Sequence, residues 1–331
     1  MTDFVFFGGK GGVGKTTVSS AYALECATVG EETLVVSTDP AHSTTDVFGQ
    51  QFSDEPQSVE GYDGLSAMEI DPEEEVQDHL LDLKRQLNSQ LSAAMVNEVD
   101  IQLEMAHQTP GAYEAALFDR FVDVMQNAEA YDRVVFDTSP TGSTLRLLAL
   151  PELLEQWIDR LMAKRRRSID LYEKAAIGNQ EPRRVMDGDP VLARLQGRKE
   201  RFEFAGDVLR EQAAFYLVLN PDELSIRETR RSVETLTEAE LPVRGLVVNR
   251  LTPEPDPDEE GRGARYLRDR VATERDRLDR IDDEFDVPVV ATIETRVEEV
   301  RGSILDDVAT ELEIAGPSAD LLNEQVSPDE S

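Results

Sequence analysis

Short apolar runs rich in valine, phenylalanine and leucine recur along this chain, and longer segments with a three-to-four-residue apolar period separate them. Phe4–Phe7, Thr33–Ser37, Leu65–Ile70, Arg133–Asp137, Phe215–Leu219, Val243–Val248 and Val287–Ile293 read as strands. They show little polar alternation, as strands buried on both faces of a parallel sheet do. Val18–Val29 is apolar-periodic, and Val76, Leu80, Leu83, Leu87, Leu91 and Ala94 form one helical stripe with charge on the other faces. Thr109-Pro110-Gly111 breaks that stripe, and a second helical segment follows to about Ala128. Arg265–Asp283 is helical and dense in alternating charge, a solvated face. The alternation predicts an α/β fold: a doubly wound, mostly parallel sheet with a helical insertion. One domain is expected over 1–315, with helical segments at about 72–130 and 151–213. An acidic tail, 316–331, is expected to be disordered.

The first run leads straight into FFGGKGGVGKTT and then into the first helix. Gly9–Thr16 fits G-x-x-x-x-G-K-[ST] in the strand–loop–helix setting that gives the pattern its meaning. Glycines leave no side chain between backbone N–H groups and a polyphosphate, and the helix N-terminus adds positive potential. Gly11, Gly12, Val13, Gly14, Lys15, Thr16 and Thr17 are thus the expected phosphate cradle. Lys15 reaches the β/γ-phosphates and the Thr16 hydroxyl ligates Mg²⁺. Lys10 is a second lysine that a plain phosphate loop does not need. It is either a cation for a transferred phosphoryl group or a solvated loop residue.

Two further strands end in aspartate-bearing loops. Thr33–Ser37 leads to Thr38-Asp39-Pro40-Ala41-His42-Ser43, and ligands of such sheets bind beyond the carboxyl ends of strands. Asp39 can orient or deprotonate a water in line with the γ-phosphate, or simply make an Asp-Pro turn. Arg133–Asp137 ends in an acid placed to hold Mg²⁺ directly or through its water, and a glycine-containing loop follows it.

Charge narrows the range of partners. The net charge is −34, from 68 acidic against 34 basic residues, and only six of the basic residues are lysine. Such a surface repels nucleic acid and anionic membranes and suits concentrated salt, where the Debye length shrinks to about 3 Å at 1 M. The one cysteine, Cys26, excludes an internal disulfide and any cysteine-only metal site within one chain. No apolar run approaches the roughly 20 residues of a membrane span, which predicts a cytoplasmic protein without stable membrane insertion.

GGKGGVGKTT, DPAHS and FDTSPTGSTLRLL together resemble the arsenite-pump and tail-anchored-protein targeting ATPase family, in the wider group of MinD, ParA and nitrogenase iron protein. LNPDELSIRETRR, VVNRL and VEEVRG extend the likeness over nearly the whole chain. The resemblance implies an ATP hydrolase that uses Mg²⁺ and works as a homodimer opening and closing on a client protein, with tail-anchored membrane proteins as the candidate client. Lys10 is similar to the signature lysine that contacts nucleotide across the dimer, and Lys15 to the ordinary loop lysine. Thr16 and Asp137 are similar to the Mg²⁺-associated pair, and Asp39 to the residue that activates water. Asn249, by spacing alone a strand-end turn residue, is similar to the asparagine that reads adenine. The chain lacks the Cys-x-x-Cys pair and the additional cysteines of such relatives, so neither a shared zinc nor an arsenite site is expected.

Three features stay open on sequence alone. The methionine-bearing helices after Val76 form either a client groove or ordinary packing against the sheet. Lys164-Arg165-Arg166-Arg167, the only basic run, is a solvated helix face paired with local acids or a dock for an acidic partner or membrane. A positioning ATPase of the ParA/MinD sort and a nucleotide-switched chaperone with little turnover are the alternative functions.

Overall fold

The computed structural model describes residues 2–38, 43–71, 112–138, 158–160, 162–164, 166–167, 190–312 and 314. Asp39, the whole stripe from Val76 to Ala94, the loop after Thr138, the linker before Pro190 and the acidic tail lie outside the described residues. The strands are β1 (Asp3–Gly9), β2 (Thr33–Ser37), β3 (Gln57–Ser58), β4 (Leu65–Glu69), β5 (Arg133–Asp137), β6 (Ala213–Leu219), β7 (Val243–Leu251) and β8 (Val289–Glu294). The helices are α1 (Lys15–Thr28), α2 (Ser43–Phe48), α3 (Ala112–Gln126), α4 (Pro190–Glu211), α5 (Glu223–Glu238), α6 (Arg262–Glu284) and α7 (Ser303–Ala309).

The eight strands among the described residues join one sheet in the order β3-β4-β2-β5-β1-β6-β7-β8. Every pairing is parallel except the short β3 against β4. Every residue of β2, β5 and β6 is buried, which is why their sequences run apolar without alternating. After β1 the chain builds outward to one side through β2 and β4, then crosses to build β6, β7 and β8 on the other. The carboxyl end of β1 is therefore the place where the strand order reverses and a crevice opens.

Two apolar layers fix β1 beneath that crevice. On one face Phe6 stacks on Phe136 at 4.5 Å and on Phe215 at 4.8 Å, its register partners on β5 and β6. Phe121 of α3 stands edge-on to Phe136 at 5.1 Å. Offset and edge contacts of this kind add about 0.5–1.5 kcal/mol per pair beyond burial. On the other face Val5, Phe7, Val35, Ala67 and Val135 pack with Val18, Tyr22 and Leu24 of α1 and with Leu305 and Val308 of α7.

Far from the crevice, at the start of the strands, Arg133 knits α1 to the sheet. Its guanidinium donates to both Glu31 carboxylate oxygens at 2.7 and 2.9 Å and to the Tyr22 hydroxyl at 2.9 Å, with Asp3 at 3.8 Å. Burial beside this cluster pushes the Cys26 thiol up to about 12 and the Tyr22 phenol higher still.

The acidic loop between Thr252 and Gly261 is folded against α6. Arg268 donates to the backbone carbonyls of Asp256, Pro257 and Glu259, and Glu274 accepts both the N–H and the hydroxyl of Thr252.

Candidate functional site

The loop that leaves β1 is shaped by its glycines. Gly12 at φ 80° and Gly14 at φ 94° occupy the left-handed region that side-chain-bearing residues adopt only with strain. Gly14 caps α1 without a side-chain cap, and the first turn of the helix carries no acid. The first helical bond runs from the Val18 N–H to the Gly14 carbonyl at 3.1 Å, so the amides of the preceding turn have no carbonyl ahead of them in the helix. An anion is the partner such a terminus favours.

Gly12, Gly14, Lys15, Thr16 and Thr17 line a cleft of about 320 Å³ at this point. Ser43, Asp46 and Val47 of α2 line it too, with Arg250, Glu299, Val300 and Arg301. Three cations, Lys15, Arg250 and Arg301, and two acids, Asp46 and Glu299, line the cleft, and Arg301 is ion-paired with Glu299. The lining is thus slightly positive in a chain of net charge −34, which favours an anion there.

Asp137, 1% exposed at the end of β5, accepts a hydrogen bond from the Thr16 hydroxyl at 2.6 Å and from the Ser37 hydroxyl at 3.5 Å. A hydroxyl and a carboxylate side by side at the mouth of a phosphate cradle form an oxygen donor set of the kind Mg²⁺ uses. That ion takes one or two protein ligands and completes its octahedron with substrate phosphates and water. Among the described residues no group of three or more His, Cys, Asp or Glu could cage a metal alone. The donors present fit Mg²⁺ brought with a nucleotide.

Asn249 sits behind the loop rather than in the lined cleft. It is 7% exposed; its Nδ2 donates to the Val13 carbonyl at 2.8 Å, and its Oδ1 accepts from the Arg250 N–H at 2.8 Å. One amide hydrogen and one lone pair of the side chain remain beyond these two bonds. Pairing between β7 and β8 slips by one residue between Val248 and Leu251, and Arg250 adopts φ 63° there. Such a bulge re-aims side chains. It turns Asn249 under the loop and brings Arg250 to the cleft. Lys10 lies apart from the cleft lining, its ammonium 3.7 Å from Glu228 of α5. Gly11 is solvent-exposed at the turn beside it.

Sequence reasoning missed Arg250, Ser43, Asp46, Val47, Glu299 and Arg301. VVNRL and VEEVRG were visible as motifs, so strand-end position was the available signal for Arg250 and for the segment after β8. Nothing in the local pattern marks α2 as a wall.

A parallel α/β sheet with a glycine cradle at its switch point and a threonine–aspartate pair at the mouth defines a phosphate-loop nucleotide hydrolase. The family model described as anion-transporting ATPase matches residues 2–313. An arsenical pump-driving ATPase of Aquifex aeolicus is 31% identical over 90% of this chain and 94% of its own length. The ATPase GET3A of Arabidopsis thaliana is 33% identical over 90% of this chain and 80% of its own. An arsenical pump-driving ATPase of Halobacterium salinarum is 36% identical over 93% of this chain, which spans 43% of that protein. The chain belongs to the anion-transporting ATPase family, and it is an ATP hydrolase of the ArsA and GET3 type.

Proposed function

We propose that the protein hydrolyses ATP with Mg²⁺ at a site completed by a second copy of the chain, and uses the resulting opening and closing to capture and hand over a client protein. The observation that carries this reading is the 2.6 Å bond between Thr16 and Asp137 at the mouth of the phosphate cradle. Thr16 and Asp137 would hold Mg²⁺, which on binding neutralises phosphate charge. The loop amides and Lys15 bind and orient the phosphates. Asp39 orients the attacking water and accepts its proton as the bond from the bridging oxygen to the γ-phosphorus breaks, giving ADP and phosphate. Asn249 keeps one amide hydrogen and one lone pair beyond its bonds to the loop for the adenine edge, and Arg250 adds positive charge to the cleft. Lys10, outside the lining of its own cleft, serves the partner's.

The client is a tail-anchored membrane protein, a reading that rests on the motifs shared with targeting ATPases. Among the described residues no helix is long and apolar enough to cross a membrane. We place the protein in the cytoplasm, and its acidic surface favours concentrated salt.

The test is steady-state phosphate release from Mg²⁺-ATP at high salt. Asp39→Asn should bind ATP yet release phosphate at least about a hundredfold more slowly, in the range of lost general-base catalysis. Unaltered turnover would refute the assignment. Purification of the ATP-trapped Asp39→Asn protein from its own cells should bring down single-span C-terminal membrane proteins. Co-sedimentation with DNA or liposomes in ATP would instead favour a positioning ATPase.

A further inference from the structure

The sheet edge that holds Asp137 holds a second buried carboxylate, Glu69, to which the chemistry above gives no task. Glu69 ends β4 and is 6% exposed. Ser37 pairs in register with Glu69 on one side and with Asp137 on the other, so Glu69, Ser37 and Asp137 stand on one level of three adjacent strands. In a parallel sheet that places their side chains on the same face. It is the face packed by α1, since Ala67, Val35 and Val135, two residues earlier in each strand, lie in the α1 layer.

The two acids hold different walls of one cleft. Asp137 takes the Thr16 hydroxyl in the first turn of α1. Glu69 accepts the Thr45 N–H on Oε1 at 2.9 Å and the Thr45 hydroxyl on Oε2 at 3.0 Å. Thr45 lies in α2, whose Ser43, Asp46 and Val47 face the phosphate loop across the cleft. A helix of six residues is too short to hold itself, so its position comes from tertiary contacts. A carboxylate taken out of water and gripping one residue with both oxygens fixes the rotation as well as the position of that helix. Both walls are thereby referred to the same row of the sheet, two strand spacings of about 4.8 Å apart.

The span from Thr38 to α2 carries Asp39. Its first end is held by the Thr38 N–H and hydroxyl donating to the Asp137 carbonyl at 3.2 and 3.3 Å. Its second end is held by Glu69 through Thr45. We propose that Glu69 is a positioning residue for ATP hydrolysis: by gripping Thr45 it fixes α2, whose Ser43, Asp46 and Val47 line the cleft, against the phosphate cradle. This inference rests on the reading of Asp39 given above.

Four variants measured beside Asp39→Asn test it, by phosphate release, ADP affinity and thermal unfolding. Glu69→Ala should lower kcat about 10- to 100-fold, the scale of an ångström's misplacement at a reacting centre. ADP affinity should stay within about twofold, because the phosphate loop is untouched. Glu69→Gln, whose amide oxygen can still accept the Thr45 N–H, should fall between. Thr45→Ala should lose turnover where Thr45→Ser, which keeps both donors, retains it; this pair leaves the buried carboxylate in place should Glu69→Ala fail to fold. The inference is overturned if Thr45→Ala and Glu69→Gln turn over ATP normally while Asp39→Asn does not. It is equally overturned if ADP affinity and unfolding temperature fall in step with kcat, since that marks a purely structural tie. Normal turnover in Asp39→Asn would bring down the underlying reading instead.

Discussion

Gly14 and Asn249 should be energetically coupled although they lie 235 positions apart in sequence. A Cβ on Gly14 would enter the space of Asn249 Nδ2, and the backbone there is left-handed. Gly14→Ala therefore carries two costs. The left-handed backbone contributes about 1–2 kcal/mol. Displacing the carboxamide breaks its bonds to the Val13 carbonyl and the Arg250 N–H, about 1 kcal/mol net each. Gly14→Ala should thus destabilise by about 3–4 kcal/mol and Asn249→Ala by about 2 kcal/mol. In the double variant the carboxamide is already gone, so the total should stay near 3–4 kcal/mol instead of the additive 5–6, a coupling of about 2 kcal/mol. The assay is urea unfolding of the nucleotide-free chain at fixed high salt, followed by far-ultraviolet circular dichroism. Additivity within about 0.5 kcal/mol would show that Asn249 does not clamp the loop.

Other consequences concern the opposite end of the strands. Arg133→Met strands the Glu31 and Asp3 carboxylates in a largely buried cluster and should cost about 3–5 kcal/mol in unfolding free energy. ADP affinity, measured by calorimetry on the folded fraction, should not change, because the cluster lies away from the cleft. Burial raises the Cys26 thiol from 9.0 to about 12. A folded value above the unfolded one means stability is complete below about pH 9 and is lost as pH climbs through about 12. Urea midpoints should therefore fall across that window and fall less steeply in Cys26→Ala. In the native protein the thiol should resist alkylation at pH 8, and rapid labelling there would contradict its burial.

Local chemistry was legible in the sequence, and geometry that depends on register was not. The phosphate loop could be read because its glycines, lysine and threonine are contiguous, with a strand before and a helix after. The strands could be read because burial on both faces leaves no polar alternation to confuse them with surface segments. The two-residue β3 and six-residue α2 fall below the length at which periodicity exists. Glu69 was invisible as more than the end of a strand, since its relation to Asp137 exists only once β4, β2 and β5 are aligned. Arg250 depended on a one-residue slip between β7 and β8 that no local pattern announces. The acidic, proline-bearing segment after Thr252 is gathered by Arg268 and Glu274 from α6, whose partners lie 9 to 22 positions away. Composition over a short window cannot register contacts of that range.

Whether a second copy completes the ATP-hydrolysing site can be read from a mixture of two inactive chains. Lys10→Ala keeps its own Asp39 but lacks the lysine it would lend, and Asp39→Asn keeps that lysine but lacks its water-orienting acid. Phosphate release is measured for each alone and for an equimolar mixture with Mg²⁺-ATP at high salt. Phosphate release should recover to about a quarter of the wild-type rate, because half of randomly formed pairs are heterodimers and each has one complete site. A mixture no more active than its components would contradict it, placing Lys10 in the service of its own cleft or outside the reaction.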